Sequence, residues 1–256
     1  MQLVDTHTHL DDPRFDADRE AVITRARKCG ISHFVVPAVT SESWERIDSL
    51  CHHYPELRPA YGLHPMFMAD HRMEDVTALA GWLEQKPAVA VGECGLDFYI
   101  PEPDREAQQT LFEAQLELAD RFSLPVIIHA RRSVEEVLHT LRRFPGVEGV
   151  LHSFSGSRQQ AERLIDLGFR FGFGGPVTHG NAHRLQALVK WMPLDVMLLE
   201  TDSPDQPDAT HARQRNEPGY LPLIVQAICR LKGITPTLLA ERTSANARRL
   251  FALEPT

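Results

Sequence analysis

The chain has 256 residues, 35 acidic against 27 basic, and a formal net charge of −8. That length suits one α/β barrel and leaves enough apolar residues for a large core, whereas the acidic balance argues against a broad basic surface that coats nucleic acid. A local phosphate site stays compatible with it, because bound divalent cations can be the largest charges present.

Strand and helix patterns alternate from end to end. Short apolar or β-branched runs at Gln2–Thr6, His33–Val36, Arg58–Gly62, Ala88–Val91, Pro125–Ile128, Gly149–Leu151, Arg170–Phe173 and Val196–Glu200 predict eight strands. Between and after them, helical periodicity covers Arg19–Cys29 (closed by Gly30), the stretch from Ser41 to His52, Glu74–Gln85, Asp104–Phe122, Ser133–Arg143, Ser157–Leu167, Asn181–Trp191, Gly219–Lys232 and Pro236–Phe251. Strands that alternate with helices imply βαβ units and a parallel sheet. Eight units fit an α/β fold of the closed (β/α)8 type, a TIM barrel with one additional C-terminal helix, as a single domain over 1–256. A dinucleotide-binding sheet is disfavoured, since no G-x-G-x-x-G follows the first strand. The one long irregular connection, Ser203–Pro218, is polar and is expected to be functional.

No apolar run reaches membrane-spanning length, and Asp5, His7 and His9 stand where a secretory leader needs an apolar core. A cytoplasmic protein with no membrane contact and no obligate protein partner is the expectation. Cys29, Cys51, Cys94 and Cys229 show no C-x-x-C spacing and are expected to be small, mostly buried apolar side chains.

Polar metal-ligand types follow the apolar runs one after another. His7 and His9 end the first strand, and their spacing of two points both rings to one side. His64 follows the third run, Glu93 the fourth, His129 the fifth, His152 the sixth and Asp202 the eighth. Barrel enzymes collect catalytic residues at the C-terminal ends of their strands, so repeated placement around one ring suggests a shared site. His7, His9, His129 and His152 with Glu93 and Asp202 supply enough ligands for two ions that share a bridge. The remaining histidines, His33, His52, His53, His71, His139, His179, His183 and His211, lack this context and are assigned to surface or core.

Eight segments in order, DTHTHL (5–10), GLHP (62–65), GECGLDF (92–98), IIHARR (127–132), LHSFSG (151–156), ETDSPDQP (200–207), RNEP (215–218) and TSANARRLF (243–251), resemble the TatD family of metal-dependent deoxyribonucleases, within the amidohydrolase-like barrels. The resemblance implies that His7, His9, Glu93 and Asp202 hold one divalent ion and Glu93, His129 and His152 the other, with Glu93 bridging. It makes His64 an additional active-site histidine and puts Arg131 and Asn216 near the substrate. The ions expected are Zn, Mn, Mg or Co. The activity implied is hydrolysis of nucleic acid phosphodiesters by a water that the two ions activate, as a 3′-5′ exonuclease on single-stranded DNA, with RNA as a further substrate. In that chemistry Asp202 accepts the water's proton, His64 donates a hydrogen bond or proton, and Arg131 offers a planar fork to phosphate.

Two other readings use the same residues. A barrel of this kind could hydrolyse a carboxyl ester or amide, such as an aminoacyl-tRNA ester, although relatives of that kind often bridge their metals with a modified lysine and Ala88–Asp97 contains none. A non-catalytic metal-binding module is the other, but structural sites are closed by protein ligands, whereas these candidates stand at a barrel mouth. Phe98, Tyr99 and Phe154 lie beside the motifs and could either stack a base or pack the mouth. With so few basic residues to spare, a nuclease of this charge is expected to grip few nucleotides and to show a shallow salt dependence.

Overall fold

The computed structural model describes residues 2–254. Its strands are β1 (Leu3–Asp5), β2 (Ile31–Pro37), β3 (Leu57–Tyr61), β4 (Ala90–Asp97), β5 (Val126–Arg131), β6 (Gly149–Leu151), β7 (Arg170–Phe173) and β8 (Met197–Leu199). They form one eight-stranded sheet in chain order. The Thr6 amide donates to the Leu199 carbonyl at 2.9 Å, so the last strand returns to the first. Helices α1 (Arg19–Lys28), α2 (Trp44–His53), α3 (Met73–Gln85), α4 (Arg105–Phe122), α5 (Val134–Leu141), α6 (Arg158–Asp166) and α7 (His183–Trp191) each follow one strand. After β8 come α8 (Leu221–Lys232) and the additional α9 (Pro236–Phe251). This is the (β/α)8 barrel that the alternation predicts. Among the described residues no single helix is long and apolar enough to cross a membrane.

By its contacts the chain divides into two compact units. The first comprises Met1–Val36, Ser153–Ser155 and Phe171–Thr256. Here α9 packs on β1 and β8, and α8 lies against α7 and α9. Leu3, Phe34, Val35, Phe171, Leu198, Ile228 and Phe251 are buried, and covering an apolar side chain of this size contributes about 1.5–3 kcal/mol. Helix α1 stops where Gly30 takes φ 87, as its terminal glycine predicts. Thr235 caps α9 by accepting the Leu238 amide, with Pro236 in the first turn.

The second unit comprises Pro37–His152 and Gly156–Arg170 and contains β3 to β6. Helix α4 is its long brace, capped by Asp104 on the Ala107 amide. Gln108 and Gln115 lie seven residues apart on its buried face. Gln115 accepts from the Leu63 amide (2.8 Å) and donates to the Leu63 carbonyl (3.0 Å). Gln108 does the same to Asp97, at 2.8 and 3.0 Å. Each glutamine thereby closes a strand end as a neighbouring strand would, directly before His64 and at the end of β4.

Strand β4 is longer than its apolar run suggests, and Glu93 lies inside it rather than after it. Val91 is opposite Val126 and Cys94 opposite Ile128, so β4 carries one residue more than β5 across this stretch. The extra residue makes a bulge, and a bulge re-aims the side chains around it. Beyond it Gly95 lets β5 approach closely, because a Cβ there would fall 2.1 Å from the His129 carbonyl oxygen. Of the cysteines, Cys94 and Cys229 are buried, whereas Cys51 is half-buried and Cys29 exposed. Cys29 terminates α1 and departs from the expectation of burial.

Candidate metal centre

In the first unit the site grows from the ends of β1 and β8. The spacing of two turns both rings of the H-x-H pair the same way, and His7 Nε2 lies 3.3 Å from His9 Nε2. Asp202 Oδ1 stands 3.5 Å from each of these nitrogens. Asp202 reaches them from a left-handed backbone (φ 54), with its amide on the His7 carbonyl at 2.9 Å. Its other oxygen, Oδ2, accepts from the Gln206 side chain.

Underneath, buried Asp5 accepts from the Thr201 hydroxyl (2.6 Å), the Thr201 amide (3.0 Å) and the His7 amide (3.4 Å). Burial pushes its carboxyl up to about 7, against the pull of those hydrogen bonds. Asn216 is also buried. Its amide group donates to the carbonyls of Thr201 (2.8 Å), Asp205 (2.8 Å) and Gln206 (3.3 Å), while Oδ1 accepts from the Glu217 amide (2.9 Å). This side chain is committed to bracing the loop that carries Asp202.

In the second unit the cluster centres on Glu93. Its Oε1 lies 2.8 Å from His64 Nε2, 3.1 Å from His129 Nδ1 and 2.9 Å from His152 Nε2. His129 Nδ1 and His152 Nε2 are 3.3 Å apart. Hydrogen bonds fix the tautomers. His64 Nδ1 accepts the Met66 amide at 3.0 Å, so a neutral ring carries its hydrogen on Nε2 and donates to Glu93. Burial holds His64 below the usual histidine range, which keeps the ring neutral near pH 7.

His129 is set the opposite way. Its Nε2 meets Asp97 Oδ2 at 2.8 Å, and its Nδ1 faces Glu93 Oε1 at 3.1 Å and His152. A neutral ring that keeps its hydrogen toward Asp97 turns the Nδ1 lone pair toward the cluster, whereas the protonated ring donates to both carboxylates. Asp97 is fully buried and also accepts the amides of Tyr99 (2.8 Å) and Ile100 (3.3 Å). Burial alone would raise its carboxyl, but the His129 ring and the Tyr99 amide hold it below the usual range. Burial likewise lowers His129, and the hydrogen bonds to Asp97 and Glu93 outweigh it and lift the ring above its ordinary value.

Both clusters fit a divalent ion. Ring nitrogens that face one another at 3.3 Å must share a proton or a cation, since two lone pairs repel. Ligands at about 2.1 Å around a tetrahedral ion lie about 3.4 Å from each other. The separations of 3.3 and 3.5 Å among His7, His9 and Asp202 match that spacing. His7, His9 and Asp202 form one group whose ligand atoms all lie within 4.8 Å, and His64, Glu93 and His129 another. With its hydrogen on Nε2, His64 acts as a donor to Glu93, whereas His129 Nδ1 and His152 Nε2 are the nitrogens left to face one another across 3.3 Å.

Seven residues singled out from the sequence thus assemble into two sets, His7, His9 and Asp202 in one, His64, Glu93, His129 and His152 in the other. Arg131 lies at the exposed end of β5, two residues beyond His129, and Asn216 braces the loop. Phe154 is buried against Phe171 (4.6 Å between centroids), whereas Tyr99 is exposed. Asp97, Asp5 and the two α4 glutamines were not legible as site residues. The seven-residue spacing of Gln108 and Gln115 was the signal available.

The family model described as TatD related DNase matches residues 4–252. The chain belongs to the TatD family. It is 38% identical over 253 residues to the metal-dependent hydrolase YjjV of Escherichia coli K12, covering 98% of each chain. It is 35% identical over 260 residues to the 3′-5′ ssDNA/RNA exonuclease TatD of Erwinia tasmaniensis, covering 98% of this chain and 100% of that one. The crystal structure of E. coli YjjV, a TatD homologue, superimposes with a TM-score of 0.95 at 38% identity over 98% of each chain. As a TatD-family enzyme the chain is a metal-dependent hydrolase of the nuclease type.

Proposed function

We propose that this TatD-family enzyme hydrolyses phosphodiester bonds at nucleic acid ends, as a 3′-5′ exonuclease on single-stranded DNA that also accepts RNA. The observation that carries the reading is the pair of histidine–carboxylate clusters with ligand spacing, in a chain 35% identical to a 3′-5′ ssDNA/RNA exonuclease. His7, His9 and Asp202 would hold one divalent ion and Glu93, His129 and His152 the other. Divalent ions bound there, of the Zn, Mn, Mg or Co kind, supply an activated water and polarise a phosphoryl oxygen.

The chain's own groups do the rest. Asp202 accepts the water's proton, with its carboxylate oriented by the Gln206 side chain on Oδ2. The Nε2 hydrogen of His64, donated to Glu93 here, would turn to an oxygen of the phosphate or of the leaving group once Glu93 is engaged by an ion. Asp97 keeps His129 in the tautomer with a free Nδ1. Arg131 supplies a guanidinium fork to phosphate without demanding a basic surface.

The test is a 5′-labelled single-stranded oligonucleotide, DNA and RNA, incubated with Mg, Mn, Co or Zn beside an aminoacyl ester and an amide panel. A ladder shortening stepwise from the 3′ end, lost in Glu93→Gln, is expected. Ester hydrolysis without strand cleavage under any metal would replace this reading with the carbonyl-hydrolase one.

A further inference from the structure

Two adjacent arginines share one aromatic ring at the end of β5. The guanidinium carbon of Arg131 lies 3.7 Å from the Tyr99 ring centroid and that of Arg132 lies 4.5 Å from it. Neighbouring side chains on a strand point to opposite faces, so this convergence needs a local change of backbone. Arg132 supplies it. Its φ is 56, a left-handed conformation uncommon for any residue but glycine, and it folds the second arginine back toward the first. The backbone that carries the ring is held in turn, because the Tyr99 amide donates to Asp97 Oδ1 at 2.8 Å and the Phe98 amide to the Arg131 carbonyl at 2.9 Å.

These two cations differ from five arginines that acids neutralise. Arg14 is bound to Asp12 and Asp205, Arg25 to Glu217, Arg143 to Glu113, Arg163 to Glu135 and Arg215 to Asp18. Arg131 and Arg132 are exposed and, among the described residues, neither guanidinium makes an ion pair or a hydrogen bond, although the Arg131 charge reaches Asp97 and helps to hold that carboxyl down. An aromatic face orders an arginine without neutralising it, so the N–H forks remain available to an anion. Place matters as well. Arg131 follows His129 by two positions on one strand, so both side chains face the same way, roughly 6–7 Å apart along it. That is about the reach of one nucleotide from the Glu93 cluster.

We propose that Tyr99 is a positioning residue that holds Arg131 and Arg132 as a paired grip for a phosphate one nucleotide away from the scissile one. This rests on the phosphodiesterase reading given above, and it names the substrate as an oligonucleotide end with at least one further phosphate. Each guanidinium offers parallel donors to a tetrahedral oxyanion, and two of them match its several oxygens. The Tyr99 ring keeps them from dispersing into solvent in the free enzyme.

The experiment compares the dinucleotide TpT with its 5′-phosphorylated and 3′-phosphorylated forms, in wild type, Tyr99→Leu, Tyr99→Phe and Arg132→Ala. The Tyr99 substitutions leave the backbone amide on Asp97 in place. One phosphorylated form should show a KM about tenfold below that of TpT in wild type, the gain expected of a charge-assisted contact. Tyr99→Leu and Arg132→Ala should bring that ratio near unity, mainly through KM, and Tyr99→Phe should keep it. Binding of thymidine 3′,5′-bisphosphate to chelator-treated protein gives a second readout that needs no turnover, with the same order among the variants. If no diester is cut by wild type but the bisphosphate still binds in that order, the nuclease reading fails and the grip stands. If Tyr99→Leu keeps the wild-type KM ratio or the wild-type bisphosphate affinity, or wild type shows neither, the grip is overturned.

Discussion

Replacing Asp97 by Asn should disable the centre without touching a ligand. Asp97 is fully buried, and its Oδ2 lies 2.8 Å from His129 Nε2. An asparagine fills the same volume and its oxygen can still accept the Tyr99 amide. Its NH2 would then face Nε2 and must donate to it, so the ring's hydrogen moves to Nδ1. That hydrogen would sit between His129, Glu93 and His152, whose separations are 3.1 and 3.3 Å, where a lone pair is needed. Losing the carboxylate behind a ligating histidine typically costs 10–100-fold in metal affinity or activity. The equivalent is about 1.4–2.7 kcal/mol. Metal titration of chelated protein, with kcat/KM on a labelled single strand at saturating metal, reads both terms. A double-mutant cycle with His129→Ala should show that Asp97→Asn adds little once the ring is gone. Wild-type metal affinity and kcat/KM in Asp97→Asn would refute the tautomer reasoning.

Asn216→Ala strips donors from the buried carbonyls of Thr201, Asp205 and Gln206, so it should destabilise the chain by roughly 2–3 kcal/mol, measurable by urea denaturation. Asp208 is buried and would be raised by that burial, but His211 Nδ1 at 2.7 Å and the Thr210 amide hold its carboxyl below the usual range. A depressed folded-state value means that the unfolded chain takes up the proton first as the pH falls. Its stabilisation is therefore full above about pH 4 and lost below it. Asp208→Asn should cost about 1–2 kcal/mol at pH 7, and the difference from wild type should shrink as the pH falls below the ordinary carboxylate value of about 4. Cleavage should depend weakly on salt, because two phosphate contacts give a log–log slope of about −1.4 on a single strand. A slope steeper than about −4 would require a contact row that a chain of net charge −8 was not expected to supply.

The element order was legible because apolar runs and helical periods alternate without interruption. The H-x-H pair was legible because a period of two puts both rings on one side. The second part of β4 was hidden, since Gly92 and Gly95 interrupt the apolar run that ends at Val91. Only the close approach of β5, with the His129 carbonyl 2.1 Å from where a Gly95 Cβ would be, shows why a glycine belongs in that strand. Asp97 was invisible for the same reason, being the last residue of a strand that seemed to have ended. Gln108 and Gln115 were masked by their chemistry, because glutamines on an amphipathic helix are ordinarily assigned to the wet face. Arg132's turn toward Tyr99 depends on a single left-handed residue with no sequence marker. Asn216 lies in a motif segment, but its commitment to three carbonyls follows only from how the loop folds back.

The most direct measurement is metal add-back to chelated protein, with cleavage of a 5′-labelled single strand followed against equivalents of Mn or Co bound. Expected is no cleavage without metal and full restoration by two equivalents, with His9→Ala and His129→Ala each binding one equivalent fewer. Cleavage that persists after complete chelation, or wild-type stoichiometry in both variants, would contradict the assignment of the two clusters as the metal centre.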